Sequence, residues 1–573
     1  MSASFTTDRR RFLECFAGLG LSSTLFPGVL WAQVQQKQPP AITREILRDA
    51  SVVAGMTFSE RELDAMLDAV NLNVVRFGEL RKAPIENDVA PPLYFNPVVP
   101  DMKIDRTRRP ARVSAQPRVS RPRNLEEVAF WTVPQLAGLI RTRQVKSIEL
   151  TEMYLERLKR YNPKLNCVVT LTEERANKQS RESDREIAAG RYRGPLHGIP
   201  WGVKDLCAVK GYPTTWGAAP FKNRVIEEDA TVVSRLDAAG AVLVAKLSTG
   251  ELAVDDIWFG GQTMNPWDLS MGSQGSSAGP GAATAAGLVG FSIGTETLGS
   301  ILAPSGICGV TGLRPTFGRV SRHGVMALSW TLDKIGPMCR AVEDCAIVLM
   351  AIQGPDGHDM SVHDLPFNWD ASLNIRKLRV GYLKAGFSNT RQTAQTDAND
   401  AAALEQLRSL GVSPVPIDLP EHAWLSPRMI QWPEMNAALR DPFQTRPGEL
   451  LRQDRVVNLN AARFIPAADY LEANRIRGLL MREMARILSE IDVYVVPFDY
   501  ADYTPNPAAR LHTSVANLTG QPSVIVPHGF NEKGNPTSLT FAGGVFGEAG
   551  MLALAKAYQD ATYWNRRHPK VFL

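Results

Sequence analysis

The sequence predicts an α/β protein in which helices cover both faces of a mostly parallel or mixed β-sheet. Apolar runs of strand length recur along the chain, and segments with helical periodicity separate them. With 573 residues, of which 44% are hydrophobic and 21% charged, the chain can bury a large core. The clearest strand-like runs are residues 167–169, 241–244 and 493–497.

Residues 1–32 are predicted to be a twin-arginine signal peptide. The triplet Arg9-Arg10-Arg11 precedes a mildly apolar run that ends near Trp31. The run is too short to indicate a spanning helix, so no stable membrane insertion is expected once the signal is removed. Twin-arginine export carries folded proteins, which predicts a periplasmic or secreted protein. An ordinary secretory signal or a retained anchor stays open as an alternative.

Residues 33–84 are predicted to form a helical extension. Ser59 and Glu62 have the spacing of a capping box, which marks the beginning of a helix. Apolar residues then recur at helical spacing, at Leu63, Met66, Leu67, Val70 and Val74.

Residues 85–124 are predicted to be an extended linker or strap. Repeated prolines between Pro91 and Pro122 exclude a long helix. Arginines crowd between Lys103 and Arg123, whereas the net charge of the whole chain is only +5. Such a basic segment could bind nucleic acid, but without interleaved aromatic residues a solvated linker is favoured, and no nucleic-acid partner is expected.

A compact domain is predicted over residues 125–573. Thr132 precedes Pro134, the pattern of an N-cap followed by a proline in the first turn, and Ser147 begins a second helix expected to reach Arg160. The chain has six cysteines, which show neither disulfide nor metal-site spacing. Those beyond Cys15 are therefore expected to be buried thiols.

Three residues in glycine-rich, turn-like segments are candidates for catalysis. Lys204 lies in Gly-Ile-Pro-Trp-Gly-Val-Lys-Asp, Ser276 opens Ser-Ser-Ala-Gly, and Ser300 closes Gly-Thr-Glu-Thr-Leu-Gly-Ser. A serine hydroxyl is a poor nucleophile until a base removes its proton, and a desolvated lysine can be that base. Each residue alone also has a structural reading, as a surface lysine or as a capping or turn serine. Their combination favours a hydrolase.

These segments resemble the amidase signature hydrolases, and exported bacterial amidases in particular. Members of that family carry a lysine in Gly-Val-Lys-Asp, a bridging serine in Gly-Gly-Ser-Ser-Gly-Gly and a nucleophilic serine in Gly-Thr-Asp-Thr-Gly-Gly-Ser, in this order. The resemblance covers residues 125–573 and includes Asn-Leu-Thr-Gly-Gln-Pro from Asn517 onward. It implies that 125–573 is a catalytic domain, with a single α/β/α layered fold around a large twisted mixed central sheet.

The resemblance also implies a role for each residue in the hydrolysis of linear carboxylic amides, with a side esterase activity. Lys204 is expected to be the base, Ser276 the proton relay and Ser300 the nucleophile that forms an acyl-enzyme. The Gly275–Ser276 peptide bond is expected to be cis. No cofactor or metal is implied, and the expected partner is a small-molecule amide. The oxyanion hole is expected to consist of the backbone N–H groups of Thr297, Leu298, Gly299 and Ser300.

Five residues near the serines depart from the family pattern. Glu296 stands at an aspartate position, and Leu302 at a position where arginine is common. A leucine at 298 would cost about 1–2 kcal/mol if its φ had to be positive. The missing arginine at Leu302 and the apolar Leu298 favour neutral or apolar acyl groups. The three that replace glycines are Gln274, Ala278 and Leu298.

Two other functions stay open. One is the glutaminase-type subunit of a tRNA-dependent amidotransferase, against which the export signal argues because tRNA is cytoplasmic. The other is a non-catalytic binding protein on the same fold, in which Leu298 and Leu302 close the site. His197 is expected to be structural or pocket-lining, and a homodimer is compatible with the sequence.

Overall fold

The computed structural model describes residues 42–80, 94–388, 393–498 and 507–573. The predicted signal peptide, residues 1–32, lies outside the described residues. The chain divides into two compact units, Met1–Glu86 and Asn87–Leu573. Residues 94–124, called the strap below, therefore belong to the same unit as the predicted catalytic domain.

The first unit contains the helices α1 (Arg44–Val53) and α2 (Glu60–Leu80). The predicted capping box is present, because the Ser59 backbone N–H donates to the Glu62 carboxylate over 2.7 Å. Arg48 donates to Glu60 over 2.7 Å, which joins the two helices to each other.

The second unit contains the remaining helices of the described residues. They are α3 (Val133–Arg141), α4 (Ser147–Leu165), α5 (Glu173–Ala188), α6 (Thr231–Ala238), α7 (Ala278–Ala285), α8 (Leu302–Cys308), α9 (Val342–Ile352), α10 (Lys384–Ser388), α11 (Ala394–Ser409), α12 (Arg428–Ala438), α13 (Arg440–Thr445), α14 (Gln453–Ala462), α15 (Ala467–Glu490), α16 (Pro507–Leu518) and α17 (Glu548–Thr562).

The strands of the described residues also lie in this unit. They are β1 (Val168–Leu171), β2 (Pro200–Lys204), β3 (Val242–Leu247), β4 (Ile257–Trp258), β5 (Gly261–Gln262), β6 (Met264–Asn265), β7 (Asp268–Gly272), β8 (Phe291–Glu296), β9 (Thr311–Arg314), β10 (Lys334–Cys339), β11 (Val380–Leu383), β12 (Val415–Ile417), β13 (Val493–Phe498), β14 (Ser523–Phe530) and β15 (Pro536–Gly543).

Eleven of these strands form one sheet, in the order β1-β3-β2-β8-β10-β9-β14-β15-β13-β11-β12. β2 runs parallel to both β3 and β8, and β11 runs parallel to both β12 and β13. The other neighbours in the sheet are antiparallel. The sheet is therefore mixed, as the sequence predicts.

The sheet separates two apolar cores. Because side chains alternate between the faces of a strand, Leu243 of β3 packs in one buried cluster while Val242 and Val244 pack in another. Helices α9 and α17 contribute to the first cluster, and α7 contributes to the second. This is the predicted layered α/β/α arrangement. Among the described residues, no helix is long and apolar enough to span a membrane.

Local predictions from the sequence agree with the structure at most points. The three strand-like runs fall on β1, β3 and β13, and α3 and α4 begin where Thr132 and Ser147 predict. The prediction that α4 ends at Arg160 is wrong, because the helix continues through Pro163 to Leu165. It ends where Asn166 takes a left-handed conformation with a φ of 50°. The cysteines at 167, 207, 308, 339 and 345 are free and buried, as predicted.

The strap is extended and is bound to the second unit along its length. Arg112 forms an isolated β-bridge with Asp370, and the Ser114 N–H donates to Glu343 over 2.7 Å. Arg121 pairs with Glu149 over 2.7 Å. Several of the crowded arginines therefore have acidic partners within the protein while their side chains stay largely exposed to solvent.

Candidate active site

Sheet topology brings the lysine and serine segments together. β2 ends at Lys204, and its parallel neighbour β8 ends at Glu296. Parallel neighbours end at the same edge of the sheet, where ligand sites form in open α/β sheets. The loop of residues 297–300 therefore begins beside Lys204. Ser276 approaches from the segment that precedes α7.

Lys204 and Ser276 are in direct contact. The Lys204 Nζ lies 2.8 Å from the Ser276 Oγ and 2.9 Å from the Thr295 Oγ1. Both Lys204 and Ser276 are almost completely buried. Burial disfavours the charged ammonium and lowers the pKa of Lys204 to about 7. A substantial neutral fraction is therefore available at neutral pH, as a base requires.

Asp205 does not face Lys204. Its carboxylate pairs with Lys246 over 2.7 Å and accepts a hydrogen bond from the Thr215 N–H over 3.1 Å. Asp205 and Lys246 are fully buried. Because this carboxylate has its own cation on the neighbouring strand β3, it does not hold Lys204 in the charged form.

The backbone before Ser276 has an unusual conformation. The Gly275–Ser276 peptide bond is cis, as predicted, and Gln274 has a φ of 60°. A Cβ at Gly275 would lie 1.8 Å from the Asp255 carbonyl oxygen, so only glycine fits there. The Gln274 N–H donates to Asp256 over 2.9 Å, which holds the left-handed residue in place.

The loop that contains Ser300 presents free donors. Within the described residues, none of the backbone N–H groups of residues 297–300 donates to a protein acceptor. The left-handed conformation falls on Gly299, with a φ of 99°, and not on Leu298. Leu298 therefore avoids the backbone strain that a positive φ would cause. These groups can act as donors to an oxyanion.

Ser300 is positioned by its backbone. The Ser277 N–H donates to the Ser300 carbonyl over 3.2 Å, which holds Ser300 beside the Ser276–Ser277 pair. The hydrogen bonds of the described residues do not include one between Ser276 and Ser300. The Ser300 side chain is only half-buried.

Glu296 anchors this loop. From the sequence alone, it was only a residue that replaces the family aspartate. Its Oε2 accepts the N–H groups of Ile301 and Leu302 over 2.9 and 3.0 Å, at the beginning of α8. Its Oε1 accepts from Arg314 over 2.8 Å. Burial on its own would raise the pKa of Glu296, but the charges of Arg314 and Lys334 lower it to about 2.

A second anchor holds the other end of the loop. Thr297 donates from its hydroxyl to Asp333 over 2.6 Å. The other Asp333 oxygen accepts the N–H groups of Leu328 and Ser329 over 2.7 and 2.9 Å. Burial raises the pKa of Asp333.

Asn517 begins the Asn-Leu-Thr-Gly-Gln-Pro motif and connects two of these groups. It donates to Glu296 over 3.1 Å and accepts from Lys334 over 2.6 Å.

A cavity of about 290 Å³ lies against these groups. Its lining includes Thr295, Thr297 and Asp333, and it also includes Tyr94 and Phe95 from the strap. Neither Ser276 nor Ser300 lines it, so the cavity meets the site at Thr295 and Thr297 and not at the serines. It provides room for a substrate group next to the loop.

The structure distinguishes functional from structural roles among the other predicted residues. Leu302 is fully buried at the first position of α8, and Ala278 is fully buried at the first position of α7. His197 is buried, accepts the Arg193 N–H over 3.1 Å and does not line the cavity, which makes it structural. Sequence reasoning missed Thr295, which lies within the motif already singled out and bonds Lys204.

The described residues contain one group that could hold a metal ion. Ligand atoms of Glu421, His422 and Glu483 lie within 4.8 Å of one another. The His422 Nδ1 already bonds Glu483 over 2.5 Å, so this pair is satisfied without a metal. None of the three residues lines the cavity.

Comparisons with known proteins agree with this geometry. The sequence profile of the amidase family matches residues 149–552. A glutamyl-tRNA(Gln) amidotransferase subunit of Roseiflexus castenholzii is 35% identical over 481 residues, which are 77% of this chain and 97% of that protein.

Solved structures show the same similarity. The peptide amidase of Stenotrophomonas maltophilia superposes with a TM-score of 0.69 at 30% identity, over 76% of this chain and 98% of that one. An amidase family protein of Bacillus anthracis superposes with a TM-score of 0.68 at 26% identity, over 78% of this chain and 93% of that one.

Proposed function

This chain belongs to the amidase family, and on that basis we propose that it hydrolyses linear carboxylic amides through an acyl-enzyme on Ser300. The observation that carries the proposal is the 2.8 Å contact between the Lys204 Nζ and the Ser276 Oγ in a fully buried setting. A buried lysine with a lowered pKa is a base at neutral pH, and a serine in contact with it can relay a proton.

The proposed reaction has two stages. In the first, neutral Lys204 takes the Ser276 proton while the Ser276 oxygen takes the Ser300 proton, and the Ser300 Oγ attacks the carbonyl carbon. The tetrahedral oxyanion is stabilised by the free N–H groups of residues 297–300, each of which contributes roughly 3–4 kcal/mol in such sites. The C–N bond then breaks as Ser276 gives its proton to the departing amine and takes back the proton held by Lys204. In the second, Ser276, with Lys204 again as the base, takes a proton from water as the water attacks the acyl ester. That proton passes to the Ser300 oxygen as the acid is released.

Ser300 must approach Ser276 for the first proton transfer. Because the Ser300 side chain is half-buried and has no hydrogen bond to Ser276, we propose that its hydroxyl rotates between staggered rotamers when substrate binds. Catalytic hydrogen bonds often tighten only in the substrate complex.

The proposal is tested by covalent labelling and single-residue variants. A fluorophosphonate should add to Ser300 of the wild-type protein, and intact-protein and peptide mass spectrometry would locate it. Ser300→Ala should abolish both labelling and amide hydrolysis, whereas Ser276→Ala should retain the fold and slow acylation by several orders of magnitude. Ser270→Ala, at an exposed serine on β7, is the matched control and should behave as the wild type.

The outcomes separate the functions that remain. Full amide hydrolysis by the Ser300→Ala protein would contradict the nucleophile assignment. A well-folded wild-type protein that is neither labelled nor active would favour the non-catalytic binding protein. Esters of the same acids should also be hydrolysed, because the acyl-enzyme does not depend on the leaving group.

A second candidate follows from the 35% identity to an amidotransferase subunit. Such a subunit would release ammonia from glutamine for use by a partner. The purified chain alone, assayed with glutamine and with a series of simple amides, distinguishes the two. Turnover of simple amides without any partner supports the proposed function, and turnover confined to glutamine supports the second candidate.

A further inference from the structure

We propose that Tyr94 and Phe95 of the strap form one wall of the substrate site, and that they select amides with a neutral, aryl-sized acyl group. This inference rests on the proposed function, since it assigns the cavity beside the loop of residues 297–300 to the substrate's acyl group. It goes beyond the family assignment because the strap lies before the residues that match the family profile, 149–552.

The wall of the cavity is largely aromatic and apolar. With a volume of about 290 Å³, the cavity lies near the lower end of the roughly 300–1,000 Å³ found for small-molecule sites. Aromatic side chains and thioethers favour flat, apolar groups, which pack edge-to-face or against sulfur. The lining residues of this kind are Tyr94, Phe95, Phe317, Met326, Trp330 and Met360.

Phe95 is held in place by neighbours on three sides. Its ring packs edge-to-face on Phe317 with 5.0 Å between centroids, and the Arg477 guanidinium lies 3.4 Å from its centroid. A Cβ on Gly520 would come within 3.0 Å of the Phe95 ring and within 2.8 Å of Pro97. The absence of a side chain at Gly520 thus leaves room for this end of the strap, which fixes the ring as a preformed wall.

Tyr94 continues the wall toward solvent. Its side chain is 53% exposed, and its hydroxyl contacts the Met360 sulfur at 3.0 Å. The strap and the segment that contains Met360 therefore meet across the mouth of the cavity. A substrate group that enters here replaces water next to both side chains.

The charged residues of the lining already have partners within the protein. Arg322 pairs with Asp359 through two nitrogens over 2.9 and 3.1 Å. Lys334 donates to Asn517 over 2.6 Å, and Asp333 accepts the hydroxyl of Thr297. A charged substrate would have to compete with these bonds, and so the cavity favours a neutral group.

The position of the cavity indicates the acyl side of the amide. The carbonyl oxygen is bound by the N–H groups of the loop, and the cavity is lined by Thr297 of that loop. Neither serine lines the cavity, so its contact with the loop that would bind the carbonyl oxygen is what assigns it to the acyl group. The group inside the cavity therefore stays with Ser300 when the amine leaves.

The test compares two amides that differ only in the aryl group. We expect the wild-type kcat/KM for 3-phenylpropanamide to exceed that for propanamide, and Phe95→Ala and Tyr94→Ala each to lower this ratio about tenfold, mainly through KM. Phe95→Tyr should keep most of the ratio because it retains a ring. Arg108→Ala is the matched control on the strap, since it removes only the exposed pair with Asp364 and should leave the ratio unchanged.

Binding is measured separately from turnover in a Ser300→Ala background. Calorimetric titration with 3-phenylpropanamide should show a Kd about tenfold weaker when Phe95→Ala or Tyr94→Ala is added. Tyr94 is half-exposed, so Tyr94→Ala decides the matter if Phe95→Ala does not fold. An active wild type whose ratio and Kd are unchanged in the Tyr94 variant overturns the inference and leaves the proposed function intact. Binding that depends on Tyr94 and Phe95 in a protein without amidase activity overturns only the proposed function.

Discussion

Lys204 illustrates how much the environment of one residue decides. In water its ammonium would be protonated at neutral pH, because the ordinary lysine pKa is about 10.4. Its burial between β2 and the serine segment removes the water that stabilises the charge and lowers the pKa to about 7. Lys246 pairs with the adjacent Asp205, so this carboxylate does not oppose the shift.

The first prediction concerns the pH dependence of Lys204. If neutral Lys204 is the base, as proposed, kcat/KM should rise as the pH increases through about 7 and should level off above it. The profile is measured at constant ionic strength with one amide substrate, and a chelator should not change it. Lys204→Arg, which stays protonated, should be inactive. An optimum below about pH 5, or loss of activity to a chelator that zinc restores, would contradict a lysine base.

Glu296 is the residue whose interpretation differs most between the sequence and the structure. It pairs with Arg314 in a fully buried site, and it also binds the N–H groups at the beginning of α8. Its folded pKa of about 2 lies below the ordinary value of 4.5. The sign of this shift means that Glu296 stabilises the fold above about pH 4.5 and that the contribution is lost as the pH falls toward 2.

The second prediction follows from that burial. Glu296→Gln leaves the buried Arg314 guanidinium without its carboxylate and should lower the free energy of unfolding by about 3–5 kcal/mol. Urea unfolding at pH 7, followed by far-ultraviolet circular dichroism, measures the change. Glu405→Gln removes one partner of the exposed pair with Arg408 and should leave the urea midpoint where it is. Equal urea midpoints for the Glu296 variant and the wild type would show that the stability of the fold does not depend on this charge.

At the scale of elements, the loop between β8 and α8 is held in place at both of its ends. Glu296 binds the end next to α8, and Asp333 binds Thr297 at the other end. The N–H groups between them are therefore held without being used in the fold. A loop that is fixed before substrate binds does not have to reorganise as the oxyanion forms.

The third prediction tests this fixation. Thr297→Val removes the hydroxyl that bonds the buried Asp333 carboxylate, and a hydrogen bond to a charged group contributes about 1.5–3 kcal/mol. We therefore expect kcat to fall by roughly tenfold or more, while KM changes less, in steady-state assays. Thr297→Ser keeps the hydroxyl and should restore most of kcat. If the valine and serine variants had the same kcat, the hydroxyl would have no part in positioning the loop.

At the scale of the whole molecule, strands that are distant in sequence become neighbours in the sheet. β8 lies between β2 and β10, so one strand carries Thr295 toward Lys204 and Glu296 toward Lys334. The strap then adds residues from before the family-matched region to the same site. The strap therefore belongs to the same compact unit as the candidate site and lines the cavity beside it.

The fourth prediction concerns where the protein acts, and it falls on residues outside the described part of the chain. If residues 1–32 are a twin-arginine signal, replacing Arg9 and Arg10 with lysine should hold the precursor in the cytoplasm of a bacterial host that has this pathway. Fractionation followed by immunoblotting measures the distribution. Unchanged export of the variant would indicate the general secretory route.

The sequence by itself determined much of the local structure and singled out the three residues that are proposed to be catalytic. The capping box at Ser59, the beginnings of α3 and α4 and the strands β1, β3 and β13 depend on residues a few positions apart, which is why patterns in the sequence predict them. Lys204, Ser276 and Ser300 were recognisable because their motifs are contiguous.

Only the tertiary structure decided what surrounds those residues. Glu296 meets Arg314 and Asn517, and Phe95 meets Phe317 and Gly520, because packing of the whole sheet fixes which distant segments become neighbours. Because these partners lie far apart in sequence, no periodic pattern in the sequence predicts their contacts. A residue that looks like a departure from a motif can for this reason be the group that holds the motif in place.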